Sequence, residues 1–535
     1  MFIFYGACSV WCRYKKERFK MENNRGTWGS NLGFILAAVG SAVGLGNIWG
    51  FPYKMGKCGG FTFLLVYLAL AAFVGLIIMA SELALGRKTG TGVVKAYQKV
   101  SEKYKWLGWL GWLAPLFIMT FYSVLGAYCI QYIALNLAEL GFNLTTTMGA
   151  DISGSVTFGA MLTNPVGCVV FTIAFMIICY LIVAGGVSGG IEKFNEVGMP
   201  ALAVMLVIVI IKAWTMPNAG EGLKFMFVPG YAVKAGFISE SPDFISVLGT
   251  AGGQMFFSLS LAMGAMITYG SYLNKEENLV KNSAIIVISD TAVALMAGLA
   301  VIPAAVAYGI SQGTPVGEIK LSGPNLLFVT LQNVFASMGF VGAVFGIIFY
   351  ALVLIAAISS AISLIEATSA HFIDTRIEKG LEPNRKKIVA IISLVITAGA
   401  ALVAVDGLGS NGVWVPFQKF GVSTFNDCWL DFMDCWSEGV MMPVGAMLMA
   451  LMIGWELGPD FALDEINNGG KGSKFDAFYK VCIKFVVPVV MAFVFAGQLI
   501  SFFDKAPQSV LYIIAFATLA VFWAITLFVG KKKEQ

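Results

Sequence analysis

The sequence predicts an all-α polytopic membrane protein with 12 transmembrane helices, in which helices 1 and 6 are broken at matching depths. Three observations predict this fold class. Hydrophobic residues make up 58% of the 535-residue chain and charged residues only 12%, whereas soluble domains contain about 25% charged residues. Apolar stretches of about 20 residues, each long enough to cross a bilayer as a helix, recur along the chain. Two of these stretches contain glycines and polar residues near their midpoints.

The predicted spans follow the apolar stretches in chain order. They cover residues 28–53, 61–86, 110–139, 166–184, 191–214, 243–273, 280–308, 339–374, 386–404, 429–455, 479–502 and 508–530. The connection 309–338 contains Gly, Pro and a short apolar patch, which predicts a small re-entrant or capping segment rather than a further span. An even number of spans places both termini on the same side of the membrane.

The distribution of positive charge predicts which side that is. With the N-terminus inside, 27 of the 35 Lys and Arg residues lie in cytoplasmic segments, and the outer segment 140–165 has none. Cytoplasmic loops of membrane proteins carry an excess of Lys and Arg. We therefore expect a multi-pass protein of the plasma (inner) membrane with cytoplasmic N- and C-termini. Its expected surroundings are the lipid bilayer, with no nucleic-acid partner, and it is expected to be a monomer or a dimer.

The first twenty residues place an apolar run before a basic cluster, which is the reverse of a signal peptide. Met21 begins a stretch typical of a short cytoplasmic tail. We therefore expect residues 1–20 to be an extension that precedes the true start at Met21. Residues 1–27 as a whole are expected to form the cytoplasmic N-terminal tail.

The first span is unusual because its middle is rich in glycine. Gly40, Gly44 and Gly46 lie at its centre, with Asn47 directly after them. Each interior glycine costs a helix about 1 kcal/mol relative to alanine. Non-helical backbone at membrane depth is tolerated only where it is buried in protein or lines a water-filled cavity. The pattern predicts a deliberate break at a binding site.

The sixth span contains a second break of the same kind. Ser258 and Ser260 lie near mid-depth and are followed by Met263 and Gly264. The two breaks are five spans apart, and an odd number of spans per block inverts the second block relative to the first. This pattern is expected of a transporter built as a 5+5 inverted repeat, with its substrate site at the two breaks. The alternative is a pair of small-xxx-small packing faces without a site.

The repeat predicts three blocks after the tail: residues 28–214 as repeat 1, residues 215–455 as repeat 2 with the extracellular loops, and residues 456–535 as helices 11 and 12 with a cytoplasmic C-terminus. His371 is the only histidine, which argues against zinc or haem sites and against a His-based triad. We therefore do not expect an enzyme. An ion channel would need rings of like residues, which the sequence does not show. A sensor that binds substrate without transporting it remains an alternative.

The residues around the two breaks resemble those of the neurotransmitter:sodium symporter family, in particular its prokaryotic amino-acid branch. The resemblance extends from Arg25 to helix 12. It is carried by the motifs Arg25-x-x-Trp28, Gly40 to Tyr53 (GSAVGLGNIWGFPY), Glu82 to Arg87 (ELALGR), Tyr122, Gln254 to Ser260 (QMFFSLS) and Ser359-Ser360.

The resemblance implies a site for an amino acid at the two breaks. The backbone N–H groups of Leu45 and Gly46 begin a half-helix, where free donors and the helix dipole favour a carboxylate, and the Tyr122 hydroxyl is a further donor. Position 44, an aspartate in biogenic-amine carriers of the family, is Gly, so the substrate should bring its own carboxylate. The implied substrate-binding residues are Ala42, Gly44, Leu45, Gly46, Ile118, Tyr122, Phe257, Ser258, Ser260, Met263, Ser360 and Leu364.

The side-chain half of this pocket is mostly apolar and includes a deformable methionine, which suits a large hydrophobic side chain. The resemblance therefore implies a sodium-coupled symporter that imports a zwitterionic, hydrophobic (aliphatic or aromatic) amino acid by alternating access. The alternative substrate is another small zwitterion, such as glycine, taurine or a betaine.

The resemblance also implies two sodium sites built from oxygen ligands, which hard cations prefer. The first uses Ala42, Asn47, Ser258 and Asp290 together with the substrate carboxylate. The second uses Gly40, Val43, Ala356, Ser359 and Ser360. Asp290 replaces the commoner amide, and Ala294 stands where chloride-dependent relatives have a serine. We therefore expect no chloride requirement.

Two gates are implied at the ends of the substrate path. The inner gate is expected to pair Arg25 with Asp374, with Trp28, Tyr272 and Glu366 nearby. At the outer gate the family pairs an arginine with an aspartate. The aspartate is expected to be Asp434, with Asp431 as the alternative, but Gly50 stands in place of the arginine. Lys54 is either a substitute for that arginine or an interfacial anchor.

Overall fold

The computed structural model describes residues 26–319, 321, 326–416, 428–469, 473–502, 513, 515–518 and 520–521. These residues form helices joined by turns and loops, with no β-strand among them. The N-terminal tail with its predicted extension, Arg25 of the predicted inner gate and most of the predicted helix 12 lie outside the described residues.

Nine helices in the described part of the chain are long and apolar enough to cross a membrane, and one bent helix pair adds a tenth span. Two shorter helices, Phe244–Ser258 and Ala265–Gly270, are not among these ten and lie where the sequence predicts the interrupted helix 6. We number them by the span that each one forms. The bounds are Asn31–Ala42 and Gly46–Lys57 (helix 1), Phe61–Thr89 (helix 2), Glu102–Phe142 (helix 3), Pro165–Ala184 (helix 4), Val187–Trp214 (helix 5), Phe244–Ser258 and Ala265–Gly270 (helix 6), Leu279–Ser311 (helix 7), Gly339–Glu378 (helix 8), Arg385–Asp406 (helix 9), Trp429–Glu456 (helix 10) and Phe475–Gln498 (helix 11). The all-α polytopic fold class with broken helices 1 and 6 is confirmed.

Helix 1 bends by 46° between its two halves. We call the N-terminal half of helix 1 and the C-terminal half of helix 6 the inner halves and their counterparts the outer halves, after the predicted orientation. The inner half of helix 1 begins at the N-cap Ser30, whose hydroxyl accepts the N–H of Gly33 at 2.8 Å. At the break the Asn47 side chain accepts the N–H of Gly44 at 2.9 Å. A side chain thus satisfies a backbone donor that the missing helical turn leaves without its carbonyl partner.

Helix 6 is interrupted over residues 259–264, as the sequence predicts. Ser260, Ala262 and Gly264 all have left-handed backbone angles, with φ of 52°, 59° and 72°. A non-glycine residue in this region costs about 1–2 kcal/mol and persists only where the surroundings hold it. Here the N–H of Ala262 donates to the buried carboxylate of Glu82 in helix 2, at 2.6 Å.

The two broken helices lie at the centre of the bundle. The inner half of helix 1 packs against helices 5, 7 and 8, while helices 3 and 8 pack closely along their length. Helix 1 is buried almost throughout, although it is interrupted at its centre. The predicted capping segment 309–338 contains a short apolar helix, Leu326–Ala336, whose Phe328 ring stacks on Tyr350 with centroids 6.2 Å apart.

Candidate functional site

The two breaks lie against each other. The Ser260 hydroxyl in helix 6 donates to the carbonyl oxygen of Ser41 in helix 1 at 2.7 Å. The Gln254 side-chain amide donates to the carbonyl oxygen of Gly46, also at 2.7 Å. A Cβ on Gly46 would lie only 2.8 Å from the Phe257 ring, so glycine is needed for this close approach. The breaks therefore form one structural unit from segments more than 200 residues apart in sequence.

One small cavity occupies the space between the breaks. Its walls consist of ten of the twelve predicted substrate-binding residues: Ala42, Gly44, Gly46, Ile118, Tyr122, Phe257, Ser260, Met263, Ser360 and Leu364. Of the remaining two, Leu45 donates its N–H to the hydroxyl of the cavity residue Tyr122, and Ser258 donates its hydroxyl to Asp290. The structure thus brings the predicted residues together, while their role in binding stays a prediction.

One end of the cavity presents hydrogen-bond donors. The N–H of Leu45 donates to the Tyr122 hydroxyl at 3.0 Å, next to the start of the outer half of helix 1. Gly44 leaves this end open, because a Cβ there would lie 2.5 Å from the Tyr122 oxygen and 2.3 Å from the Ser360 hydroxyl. Donors at a helix N-terminus form a favourable environment for an anionic group such as a carboxylate.

Most of the other side chains that line the cavity are apolar. Ile118, Met263 and Leu364 are buried, and the Phe257 ring lies 6.4 Å from the Tyr122 ring, measured between centroids. No charged side chain is among the residues that line the cavity. The lining thus combines hydrogen-bonding groups with apolar side chains, which matches a ligand that has both a polar and an apolar part.

Three of the four residues predicted for the first sodium site form a single buried cluster. The Asn47 amide donates to Asp290 Oδ1 at 2.7 Å, and the Ser258 hydroxyl donates to Asp290 Oδ2 at 2.9 Å. Tyr67, to which the sequence assigned no role, completes the cluster with its hydroxyl 3.4 Å from Asp290 Oδ2. Ala42, the fourth predicted residue, lines the cavity. The Asp290 carboxylate and the Ser258 and Tyr67 hydroxyls are oxygen ligands of the kind that a small hard cation takes, whereas the Asn47 oxygen accepts the N–H of Gly44.

All five residues predicted for the second sodium site also lie together. The Ser359 hydroxyl lies 3.3 Å from the carbonyl oxygen of Val43 and 2.9 Å from that of Ala356. The Ser360 hydroxyl lies 3.4 Å from the carbonyl oxygens of Gly40 and Val43. A serine in an apolar helix often bonds only to its own preceding turn. Here both serines reach across to helix 1, so five oxygen atoms of two helices converge on one buried point.

The predicted inner-gate residues lie at one end of the bundle. The Trp28 indole donates to the carbonyl oxygen of Tyr269 at 3.2 Å, and the Tyr272 hydroxyl donates to Glu366 at 2.6 Å. Asp374 accepts the N–H of Gly92 at 2.7 Å. Its predicted partner Arg25 lies outside the described residues.

Arg385 is an inner-end residue that sequence reasoning missed. Its guanidinium forms an ion pair with Glu366, whose side chain is fully buried. In sequence it belongs to a basic cluster between helices 8 and 9, which indicated only a cytoplasmic loop. A buried charge needs a partner. The position of Glu366 within a predicted span therefore indicated that a basic residue lies near it.

The opposite end differs from the expected outer gate. Lys54 forms an ion pair with Glu438 of helix 10, which lies one turn after Asp434. Lys54 was expected to be either a substitute for the gate arginine or an interfacial anchor. Its ammonium group is bound to a carboxylate of the protein. The assignment of Asp434 to the gate stays a prediction. Sequence reasoning assigned no role to Glu438.

Comparisons with known proteins agree with this geometry. The model of the sodium:neurotransmitter symporter family matches residues 25–147 and 155–529. An uncharacterized sodium-dependent transporter of Bacillus subtilis, YhdH, is 34% identical over 479 residues, covering 88% of this chain and 96% of its own length. The sodium- and chloride-dependent GABA transporter 2 of Rattus norvegicus is 24% identical and covers 89% and 80%.

A solved structure is also similar to this chain. The crystal structure of MhsT in complex with L-phenylalanine has a TM-score of 0.75 and 32% sequence identity. The similarity covers 89% of this chain and 100% of the MhsT chain. The likeness therefore extends over most of this chain.

Proposed function

We propose that this chain, which belongs to the sodium:neurotransmitter symporter family, is a sodium-coupled symporter that imports a zwitterionic amino acid with a hydrophobic side chain. The observation that carries the proposal is the cavity between the two breaks, whose lining combines hydrogen-bonding groups with apolar side chains and contains no charged side chain. The MhsT structure, which contains L-phenylalanine, supports the same ligand class.

The proposed binding mode follows from the lining of the cavity. The substrate carboxylate would accept hydrogen bonds from the Tyr122 hydroxyl and from the backbone N–H groups of Gly46 and Leu45, the Leu45 N–H exchanging the Tyr122 oxygen for the carboxylate. Its ammonium group would need carbonyl oxygens, which the unwound segments at Ala42 and Phe257 can supply. The side chain would lie among the apolar residues. A second charge on the substrate side chain would lack a partner there, which is costly in a buried site.

Two sodium ions are proposed as co-substrates at the oxygen clusters described above. If the substrate carboxylate also contacts the first sodium ion, each ligand raises the affinity for the other by the same factor. Each sodium crossing a potential of about 100 mV releases ~2.3 kcal/mol. Two ions could then support accumulation on the order of a thousandfold. We propose that helices 1, 2, 6 and 7 move against helices 3, 4, 8 and 9, with both termini in the cytoplasm of a plasma-membrane protein.

The substrate class can be tested by measuring thermal unfolding of the purified protein with each of the twenty amino acids, in sodium and in potassium. We expect the large aliphatic and aromatic amino acids to raise the unfolding temperature in sodium only. Ligand at about a hundred times its dissociation constant stabilises the folded state by ~2.7 kcal/mol. Equal stabilisation in potassium, or stabilisation by glycine or betaine alone, would contradict the proposal.

Transport itself requires a separate measurement, because a sensor on the same fold would also bind substrate. In proteoliposomes with an inward sodium gradient, the amino acid that stabilises the protein should accumulate and should be released when the gradient is dissipated. Binding without accumulation would identify a sensor.

We also expect transport to be independent of chloride. Asp290 places a fixed negative charge at the first sodium cluster, and a nearby cation favours the ionised form of a carboxyl group. Uptake in sodium gluconate should therefore stay within about twofold of uptake in sodium chloride, because no mobile anion is needed for charge balance. A collapse of uptake in gluconate would show that a bound anion is required.

A further inference from the structure

An ion pair that the family resemblance does not imply lies at the end of the bundle that is predicted to face outward. Lys54, in the outer half of helix 1, pairs with Glu438 of helix 10. The side chains of Lys54 and Glu438 are only 13% and 9% exposed. The ammonium group is therefore held inside the bundle, whereas an interfacial anchor would extend its charge into water.

The ion pair of Lys54 and Glu438 lies further along helix 1 than the cavity. Gly46 lines the cavity, and Lys54 lies eight residues further along the same half-helix. Eight residues of helix correspond to about 12 Å. The pair thus lies two turns beyond the cavity, toward the predicted extracellular side.

Glu438 contacts helix 6 as well as helix 1. A Cβ on Gly253 would lie 2.6 Å from Glu438 Oε1, so the carboxylate lies directly against the outer half of helix 6. One carboxylate of helix 10 therefore joins the outer halves of both broken helices. Glycine at position 253 is what allows this approach.

Position 50 carries no side chain, and its neighbour is Gln254. A Cβ on Gly50 would lie 2.7 Å from Gln254 Oε1, the end of a flexible side chain. The amide of Gln254 donates to the carbonyl oxygen of Gly46 at 2.7 Å. Position 50 therefore provides no positive charge, and Lys54 provides one a turn later.

We propose that Lys54 and Glu438 form the outer gate of this transporter, holding the outer halves of helices 1 and 6 against helix 10 when the path is closed. This inference rests on the proposed function, since a gate presupposes alternating access. It assigns the gate's acidic partner to Glu438 and its basic partner to Lys54.

The distance between two spin labels can test the gate without any substrate. Lys57, at the outer end of helix 1, and Trp414, before helix 10, are both exposed and can be replaced by labelled cysteines. The seven cysteines in the described part of the chain are buried, so Cys8→Ser and Cys12→Ser complete the background. Double electron–electron resonance in sodium-containing buffer then measures the distribution of distances between the two labels, which gives the ratio of closed to open populations.

We expect Lys54→Met to shift that ratio toward the open state by about tenfold, equivalent to ~1.4 kcal/mol. Lys54→Glu and Glu438→Lys should each do the same, and the double variant with both changes should restore the closed population. Lys103→Met is the matched control, because it removes an ion pair with Glu456 at the other end of helix 10. It should leave the outer distance unchanged.

The gate is refuted if Lys54→Met leaves the distance distribution unchanged, or if the exchanged pair is no more closed than the single reversals. If Lys54→Met does not fold, Glu438→Gln tests the same contact with little change in volume. Failure of the proposed function has a different signature. In that case hydrophobic amino acids with sodium would not change the distribution of the native chain, while the gate variants would still shift it.

Discussion

Asp290→Asn is expected to lower the apparent affinity for sodium by between about tenfold and a thousandfold in chloride-free medium. The substitution keeps the shape of the side chain. Its single amide oxygen, at the place of Oδ1, can still accept hydrogen bonds from Asn47 at 2.7 Å and from Ser258 at 3.1 Å, but an NH2 group replaces Oδ2 and the charge is removed. A unit charge about 4 Å from a cation contributes about 4 kcal/mol at an effective dielectric constant of 20. The measurement is the sodium concentration that gives half-maximal substrate binding.

Two further variants separate charge from structure. Asp406→Asn neutralises another buried carboxylate, which accepts the N–H groups of Gly409 and Trp429 at the C-terminal end of helix 9. This control variant should leave sodium affinity unchanged.

Asp290→Asn combined with Ala294→Ser places a hydroxyl one turn further along helix 7. If a bound anion can replace the carboxylate, this double variant should recover uptake in chloride but not in gluconate. Native sodium affinity in Asp290→Asn would show that the charge at position 290 plays no part in sodium binding.

Much of the fold could be predicted because a membrane makes local sequence decisive. A spanning segment must satisfy its backbone within itself, so apolar length gives the helices and internal glycines give the breaks. The break in helix 6 was predicted at Ser258 to Gly264 and lies at residues 259–264. The ten residues that line the cavity were predictable only because the resemblance related helices 3 and 8 to the two breaks.

The missed interactions have a common physical cause. Lys54 and Glu438 are 384 residues apart in sequence, and their pairing depends on the relative register of helices 1 and 10. The hydrogen bond from the N–H of Ala262 to the carboxylate of Glu82 likewise joins residues 180 positions apart in sequence. Local patterns identify that a charge is buried and needs a partner, but tertiary packing decides which partner it finds.

Gly44→Ala should weaken substrate binding by about 10- to 100-fold while the protein remains folded, because overpacking a close-fitting site typically costs about 1–3 kcal/mol. The added Cβ would lie 2.3 Å from the Ser360 hydroxyl and 2.5 Å from the Tyr122 oxygen. Both atoms belong to the proposed ligand sets, so any movement that relieves the clash disturbs the donors for the carboxylate or the second sodium cluster. Isothermal titration in sodium measures the loss.

Gly249→Ala is the matched control, since this glycine is also buried in a broken helix but a Cβ there meets its nearest atom at 3.7 Å, an ordinary contact. It should bind substrate like the native protein and unfold at the same temperature or higher, because alanine favours a helix by about 1 kcal/mol over glycine.

Gly44→Asp adds a negative charge to the same steric change. A carboxylate there would repel the substrate carboxylate in a desolvated cavity, so binding of zwitterionic amino acids should fall further than in Gly44→Ala. Equal losses for the two variants would mean that the space at position 44 matters and that no substrate carboxylate lies beside it.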